Sequence, residues 1–399
     1  MKQVTVLGST GSIGTSTLDV IRLGADRYSV FALVAGTNAG LLASQILEFH
    51  PKVAIVATSK TLESLISKLV EAGLPRAEWP DLGFGSRKRV EAATDSSVDF
   101  VMSAIVGVEG LEATYEAVKL GKTVGLANKE VLVASGKLII EAARNSGTEL
   151  IPVDSEHNGA HQCLRAGQRN EVERLILTAS GGPFRQTPAD KLALVTPEEA
   201  LNHPTWKMGR RITVDSATLM NKGFEVIEAC WLFDFPPEKV DVVVHPESCV
   251  HAMVEYSDGS VIAQISATDM RMPIQYALTY PERASAPVPR LDWTQARTWH
   301  FSAPDTDRFP LLRLAYEAQE AGGSATCTLN AADEVAVEAF LNREIPFPGI
   351  IEVIEETLGQ IPVRQPDSVE QVLAIDRESR DQARDIVRLR RERISCAAL

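Results

Sequence analysis

Six short apolar runs rich in β-branched residues recur along positions 1–153, and a longer stretch of helical character separates each from the next. The runs are VTVLG (4–8), VFALVAG (30–36), VAIVA (53–57), VDFVMSAI (98–105), KTVGLAN (122–128) and ELIPV (149–153). Strand and helix in strict alternation predict a parallel sheet covered on both faces, because each helix serves as the crossover between two strands. The fold class expected is therefore α/β, opened by a Rossmann-like domain over 1–153.

The first run ends in LGSTGSIG (7–14), with Gly8, Gly11 and Gly14 spaced G-x-x-G-x-x-G instead of the usual dinucleotide pattern G-x-G-x-x-G. Gly8 permits a sharp turn, Gly11 lets backbone approach a ligand closely, and Gly14 lets the following helix pack tightly. Thr10, Gly11, Ser12 and Ile13 are then expected to present N–H groups at the positive end of that helix, where a pyrophosphate binds. A tight strand-to-helix turn with no ligand is the plainer account of the same glycines. The second run continues into Ala35-Gly36-Thr37-Asn38. No acid stands there to hold ribose hydroxyls or repel a 2′-phosphate, which favours NADPH over NADH. No Lys or Arg stands there to attract that phosphate either.

The remainder reads differently. RLILTAS (174–180), VDVVVHP (240–246), VHAMVEY (250–256) and SVIAQIS (260–266) are expected strands, the last two joined by the hairpin signal SDG, so 154–280 reads as an α+β domain. Residues 281–303 lack periodicity and read as a linker. Residues 304–399 are predominantly helical, with three- and four-residue apolar spacing in DEVAVEAFLNR and GIIEVIEETLGQ. In 371–399, seven Arg are interleaved with five acidic residues, the pattern of a solvated helix face.

Charge narrows the partners. A formal net charge of −13 argues against non-specific nucleic-acid binding. No apolar run approaches the ~20 residues that span a bilayer. Cys163, Cys230, Cys249, Cys327 and Cys396 form no C-x-x-C pair, and the chain enters its first strand without a signal segment, so free thiols in the cytoplasm are expected.

Four segments carry candidate chemistry. In PVDSEHN (152–158), Asp154 and Glu156 stand where a strand opens into a helix; an oxygen-only pair suits Mg²⁺ or Mn²⁺, although two acids there also simply cap a helix. VDSATLMNKGFEVIEACWLF (214–233) reads as one helix with Asn221 and Glu225 on one face and Lys222 beside them. Glu225 offers a third carboxylate, while Ser216, Asn221 and Lys222 are donors that suit a phosphate. SGGPF (180–184) places Ser180 in a glycine turn after a strand, a second phosphate candidate. HPTWKMGRR (203–211), with Trp206, Met208 and Gly209, has the composition of a mobile lid. A rival set is Ser103 with Tyr115 and Lys119 in Y-x-x-x-K, the arrangement of short-chain dehydrogenases and sugar epimerases, which need no metal.

LGSTGSIG, LANKE (126–130), PVDSEHN, ASGGPF, HPTWKMG and DSATLMNKGFE occur in that order, and together they resemble the 1-deoxy-D-xylulose 5-phosphate reductoisomerase family over almost the whole chain. The resemblance implies an NADPH- and metal-dependent rearrangement and reduction of that sugar phosphate to 2-C-methyl-D-erythritol 4-phosphate, in non-mevalonate isoprenoid biosynthesis. It implies Asp154, Glu156 and Glu225 as metal ligands, and Lys129, Ser155 and His203 as substrate contacts with Trp206 on the lid. Ser180, Ser216, Asn221 and Lys222 are implied to hold the phosphate. Thr10, Gly11, Ser12, Ile13, Gly36, Thr37, Asn38, Asn128, Glu130 and Gly209 match the cofactor positions. Many members have Lys or Arg where this chain has Thr37. The family is homodimeric through the central domain, and its C-terminal helices are then structural.

Overall fold

The computed structural model describes residues 1–206 and 208–397, the side chains of 393–397 excepted, so Lys207 of the expected lid and the Cys396 thiol lie outside the described residues. The chain divides into two compact units, and it passes between them more than once. The first is Met1–Val131, Ile139–Asn158 and Asp269–Leu291; the second is Leu132–Leu138, Gly159–Thr268 and Asp292–Leu399. The chain thus changes unit at places other than 153, 280 and 303, the positions where its composition shifts.

Among the described residues, the first unit carries a seven-stranded parallel sheet. Its strands are β1 (Lys2–Leu7), β2 (Tyr28–Val34), β3 (Val53–Val56), β4 (Asp81–Phe84), β5 (Phe100–Ser103), β6 (Thr123–Leu126) and β7 (Leu150–Pro152), in the order β4-β3-β2-β1-β5-β6-β7. The six apolar runs are six of these strands. β4, with the sequence DLGF, is the one they do not include. Both faces of the sheet are covered, as the alternation requires. One apolar cluster joins Val4, Val6, Leu33 and Phe100 to Leu18, Leu42 and Leu65. It also takes in Ile274, Ala277 and Leu278 of the helix Arg271–Thr279. A separate cluster on the other face joins Leu7, Phe31 and Val101 to Ala92, Ala117 and Val118.

The second unit is built on a four-stranded mixed sheet. β8 (Val172–Ala179), β9 (Val240–Val244), β10 (Val250–Tyr256) and β11 (Val261–Ile265) lie in the order β11-β10-β8-β9. β10 runs antiparallel to β8 and β11, and β8 runs parallel to β9. The expected hairpin is the β10–β11 pair. Helices Leu311–Ala321, Ala325–Leu341, Phe347–Gln360 and Val369–Ala397 make up the C-terminal region. Their apolar faces and the sheet share one core, in which Leu175, Leu177, Phe224, Leu329, Phe340, Ile350 and Ile386 are buried.

Candidate active site

In the first unit, the candidate residues gather where parallel strands end. Strand order reverses around β1, which pairs with β2 on one side and β5 on the other, and the glycine turn sits at the end of β1. Such a switch point opens a crevice for a ligand. Gly8 and Ser9 both donate their N–H to Val34 O at 2.8 Å, which ties the turn to the end of β2. Gly8 has φ +90°, and a Cβ there would lie 2.3 Å from Ala104 O. A Cβ on Gly14 would lie 2.2 Å from Gly8 O, so the helix Ser12–Leu23 begins pressed onto its own turn. Its first-turn amides have no partner within the helix, and it begins on exposed Gly11 and Ser12. This is the arrangement that favours a pyrophosphate. At the end of β2, Gly36 O accepts from Ala57 N at 3.1 Å, Thr37 is exposed, and Asn38 caps the next helix through Leu41 N at 3.1 Å.

Lys129 follows β6 and Asp154 follows β7. Asn128 caps the helix Lys129–Ser146 by accepting from Val131 N at 3.3 Å, and its amide donates to Gly107 O at 3.0 Å. Lys129, now the first helical residue, places Nζ 3.2 Å from Asp154 Oδ2. Asp154 also caps the helix Ser155–Cys163, its Oδ1 accepting from Glu156 N at 3.2 Å. The two accounts of this acid are therefore compatible: one oxygen caps, and the other faces an ammonium. Ser155 donates to Glu156 Oε2 at 2.6 Å. His157, fully buried, holds Nδ1 3.6 Å from Asp154 Oδ1. Sequence reading passed over it, although the i,i+3 spacing in PVDSEHN was a usable signal.

In the second unit, three segments converge on a polar set. Ser180 follows the last residue of β8, and Gly181 and Gly182 come next with φ of +81° and +67°. A Cβ on Gly182 would lie 2.5 Å from Ser216 O, so the glycine lets this turn press onto the helix Arg210–Thr218. His203 Nε2 lies 2.9 Å from Ser180 Oγ and 3.1 Å from Ser216 Oγ. His203 Nδ1 accepts from Thr205 N at 3.1 Å and Trp206 N at 2.9 Å, which leaves the proton on Nε2. Burial holds the His203 pKa below the ordinary histidine value, so the ring is a neutral donor. The imidazole thus folds the backbone of Thr205 and Trp206 over itself. The Trp206 ring lies 6.4 Å from that of His251, a neighbour the motifs gave no sign of.

The expected single helix over 214–233 is two helices, Arg210–Thr218 and Met220–Phe233, separated by Leu219 at φ +64°. Apolar periodicity continues across one left-handed residue and so does not register the break. Ser216 lies before it and Asn221, Lys222 and Glu225 after it. Within the second helix the expected face is real. Asn221 Nδ2 donates to Glu225 Oε1 at 2.7 Å, and Lys222 Nζ pairs with Glu225 Oε2. Lys222 and Glu225 are 3% and 1% exposed, so this is a buried ion pair.

The rival candidates Ser103, Tyr115 and Lys119 are engaged elsewhere. The buried Ser103 Oγ is 2.7 Å from Thr114 Oγ1, Lys119 Nζ pairs with Glu116 at 2.9 Å, and Tyr115 packs against the core of the first unit. Lys119 and Tyr115 do share a helix face, with Nζ 5.3 Å from the ring centroid.

Family profiles match the chain along its length. The 1-deoxy-D-xylulose 5-phosphate reductoisomerase profile covers residues 4–136. The profile of that enzyme's C-terminal domain covers 150–233, and a DXP reductoisomerase C-terminal domain profile covers 265–382. A 1-deoxy-D-xylulose 5-phosphate reductoisomerase from Solibacter usitatus is 67% identical over 98% of this chain and 98% of its own. The chain belongs to the 1-deoxy-D-xylulose 5-phosphate reductoisomerase family. The reductoisomerase of Ralstonia nicotianae is 50% identical, covering 96% of this chain and 97% of its own. The Zymomonas mobilis reductoisomerase, solved with NADPH, has a TM-score of 0.90 and 46% identity, covering 97% of this chain and 99% of its own. A DOX-P reductoisomerase solved with NADPH, fosmidomycin and magnesium also has a TM-score of 0.90, at 38% identity, covering 98% of this chain and 99% of its own. The α/β fold with a second mixed sheet and a C-terminal helical region is the reductoisomerase fold.

Proposed function

We propose that this chain catalyses the NADPH- and divalent-metal-dependent conversion of 1-deoxy-D-xylulose 5-phosphate to 2-C-methyl-D-erythritol 4-phosphate, in the non-mevalonate route to isoprenoids. One observation supports it above the others. Ser180, His203 and Ser216 form a single hydrogen-bonded set beside the helix that carries Asn221 and Lys222. A neutral Nε2–H, two hydroxyls, an amide and an ammonium are what a phosphate dianion needs.

The donors also fit a hard cation. Asp154, Glu156 and Glu225 offer carboxylate oxygen only, the preference of Mg²⁺ or Mn²⁺. A bound cation supplies Lewis-acid stabilisation of negative charge on the substrate's C2 and C3 oxygens while the carbon skeleton rearranges. NADPH supplies the hydride that reduces the branched aldehyde. The rest is done by the chain. Lys129, held beside Asp154, places a proton donor at the end of β6 and offsets charge on a substrate oxygen. Ser155 and His203 orient the substrate. Asn221 and Lys222 satisfy the Glu225 carboxylate, and turn to the phosphate when Glu225 finds another cation. The phosphate grip is remote from the reacting carbons, so its binding energy can draw the 203–209 segment, with Trp206, over the substrate and exclude water. Thr10, Gly11, Ser12, Ile13, Gly36, Thr37, Asn38, Asn128, Glu130 and Gly209 are the proposed NADPH contacts.

A homodimer belongs to the same proposal. β11 is an edge strand, with Val261 and Ile262 exposed by 47% and 39%, and an apolar edge of this kind is a surface for strand pairing with a second copy. We also place the protein in the cytoplasm, in keeping with Cys163, Cys230, Cys249 and Cys327 as buried free thiols. Among the described residues no helix is long and apolar enough to cross a membrane.

The test is NADPH absorbance followed with 1-deoxy-D-xylulose 5-phosphate after chelator treatment, with and without Mg²⁺ or Mn²⁺. Oxidation that depends on added metal is the expected result. Oxidation that proceeds equally without it, or none with either ion, overturns the proposal.

A further inference from the structure

The helix Arg210–Thr218 has a task at each of its ends. It starts at Gly209, where the lid segment stops, and near its other end Ser216 reaches the Ser180–His203 set. Between them stands Arg211. Its guanidinium is largely buried and makes a fork of contacts to the helix Ala325–Leu341. Nη2 donates to Asn330 Oδ1 at 2.9 Å and lies 3.1 Å from Asp333 Oδ2. Nη1 lies 2.8 Å from Glu334 Oε1, and Nε lies 3.6 Å from Asp215 Oδ2 on its own helix. The contacts continue outward. Glu334 Oε2 is 2.8 Å from Arg380 Nη1, and Arg380 Nε is 2.7 Å from Asp376 Oδ2, both on the helix Val369–Ala397. Burial works against ionisation of Glu334, but Arg211 and Arg380 outweigh it and hold its carboxyl below the usual range. Asp333 and Asp376 are buried, and the network is held within one unit.

We infer that Arg211 is a positioning residue for the phosphate grip and the lid. Through it the C-terminal helices fix the register of the helix that carries Ser216 and anchors the lid. A planar five-donor fork bound on three sides permits one orientation of that helix, whereas a hydrophobic contact there would permit sliding. The C-terminal helices then have a part in substrate affinity as well as in stability. This rests on the proposed function for the identity of the substrate, but the geometry applies to any phosphate held by Ser180, His203 and Ser216.

The experiment compares R211M, R211K and R380M with the unaltered protein. Two readouts are used: Kd for inorganic phosphate from concentration-dependent melting, and KM and kcat with 1-deoxy-D-xylulose 5-phosphate and with NADPH. In R211M, phosphate affinity and the KM for the sugar phosphate should worsen by about 3- to 30-fold, with kcat and the KM for NADPH within about 2-fold. R211K, which restores a charge without the fork, should recover part of the loss. R380M, which touches neither the lid nor the phosphate set, should move the same two quantities by a smaller factor. Unchanged phosphate affinity in a folded R211M refutes the inference, and so does a fall in kcat that tracks the melting temperature across all three. If R211M does not fold, R380M and R211K decide on the same criteria. If the unaltered protein binds phosphate but turns over no 1-deoxy-D-xylulose 5-phosphate, the proposed function fails and the phosphate readout still judges Arg211.

Discussion

Glu225→Gln separates the two roles assigned to one carboxylate. The substitution keeps the shape and the acceptor for Asn221 Nδ2, and removes the charge. Glu225 is 1% exposed and its partner Lys222 3%, so the substitution takes one charge out of a buried ion pair. Removing one partner of a buried pair costs about 3 kcal/mol or more, because the remaining charge keeps its desolvation penalty. For a unit of this size that is a fall in melting temperature of about 6–12 °C. Lys222→Met added to Glu225→Gln removes the second charge and should restore most of that loss. Turnover follows a different pattern. As a cation ligand, Glu225 supports the charge on the reacting oxygens, so Glu225→Gln should lower kcat by about 100-fold or more, and the double variant should not regain it. Melting is read by calorimetry without substrate, and turnover by NADPH oxidation at saturating Mg²⁺. A Glu225→Gln protein with unaltered melting refutes the buried pair. One with normal kcat refutes the ligand role, and a double variant that recovers both refutes the separation of the two.

Three further outcomes are expected. Thr37→Lys should lower the KM for NADPH by about 10-fold through a charge beside the 2′-phosphate and leave that for NADH nearly unchanged; an equal effect on both cofactors, measured at 340 nm, refutes the placement of Thr37. Tyr115→Phe should keep kcat within about 2-fold, since the rival Ser/Tyr/Lys set needs that hydroxyl as its acid, and its loss of turnover would revive that reading. Burial pushes the Asp333 carboxyl up to about 6, well above the ordinary aspartate range, in spite of Arg211. The folded protein therefore binds a proton more tightly than the unfolded chain, and stability falls as pH rises from about 4 to 6. Asp333→Asn should flatten that stretch of the melting profile and match or exceed the unaltered protein at pH 7.5; a steeper profile or a lower Tm at pH 7.5 refutes it.

What the sequence made legible was whatever its information placed close together along the chain. Strand β10 coincides with VHAMVEY, and six of the seven strands of the first sheet announce themselves as apolar runs. β4 does not, because two of its four residues are Asp and Gly, and it lies at the sheet edge where less apolar surface is covered. Asn221, Lys222 and Glu225 were readable as one face because a single helix fixes their spacing. The break at Leu219 was not, since it leaves the pattern on either side intact. Ser180, His203 and Ser216 were separate candidates whose mutual contact depends on how β8, the loop at His203 and a helix pack. The Arg211 network joins residues more than a hundred positions apart, a distance over which periodicity carries no information. Residues 269–280 fall in the stretch that reads as α+β and 281–291 in the one that reads as a linker, yet both belong with the first unit, for the same reason.

That last placement governs how the protein is made. Ile274, Ala277 and Leu278 are part of the core beneath β1, β2 and β5, and Lys2 Nζ donates to Leu278 O at 2.8 Å. A ribosome that has emitted the seven parallel strands has therefore not yet supplied everything that covers them. The part of that face which Ile274, Ala277 and Leu278 cover waits, exposed, while more than a hundred residues of the other unit emerge. Nascent chains arrested near position 153 should bind holdase chaperones through that face, and release should come only when the segment through Leu291 has cleared the exit tunnel.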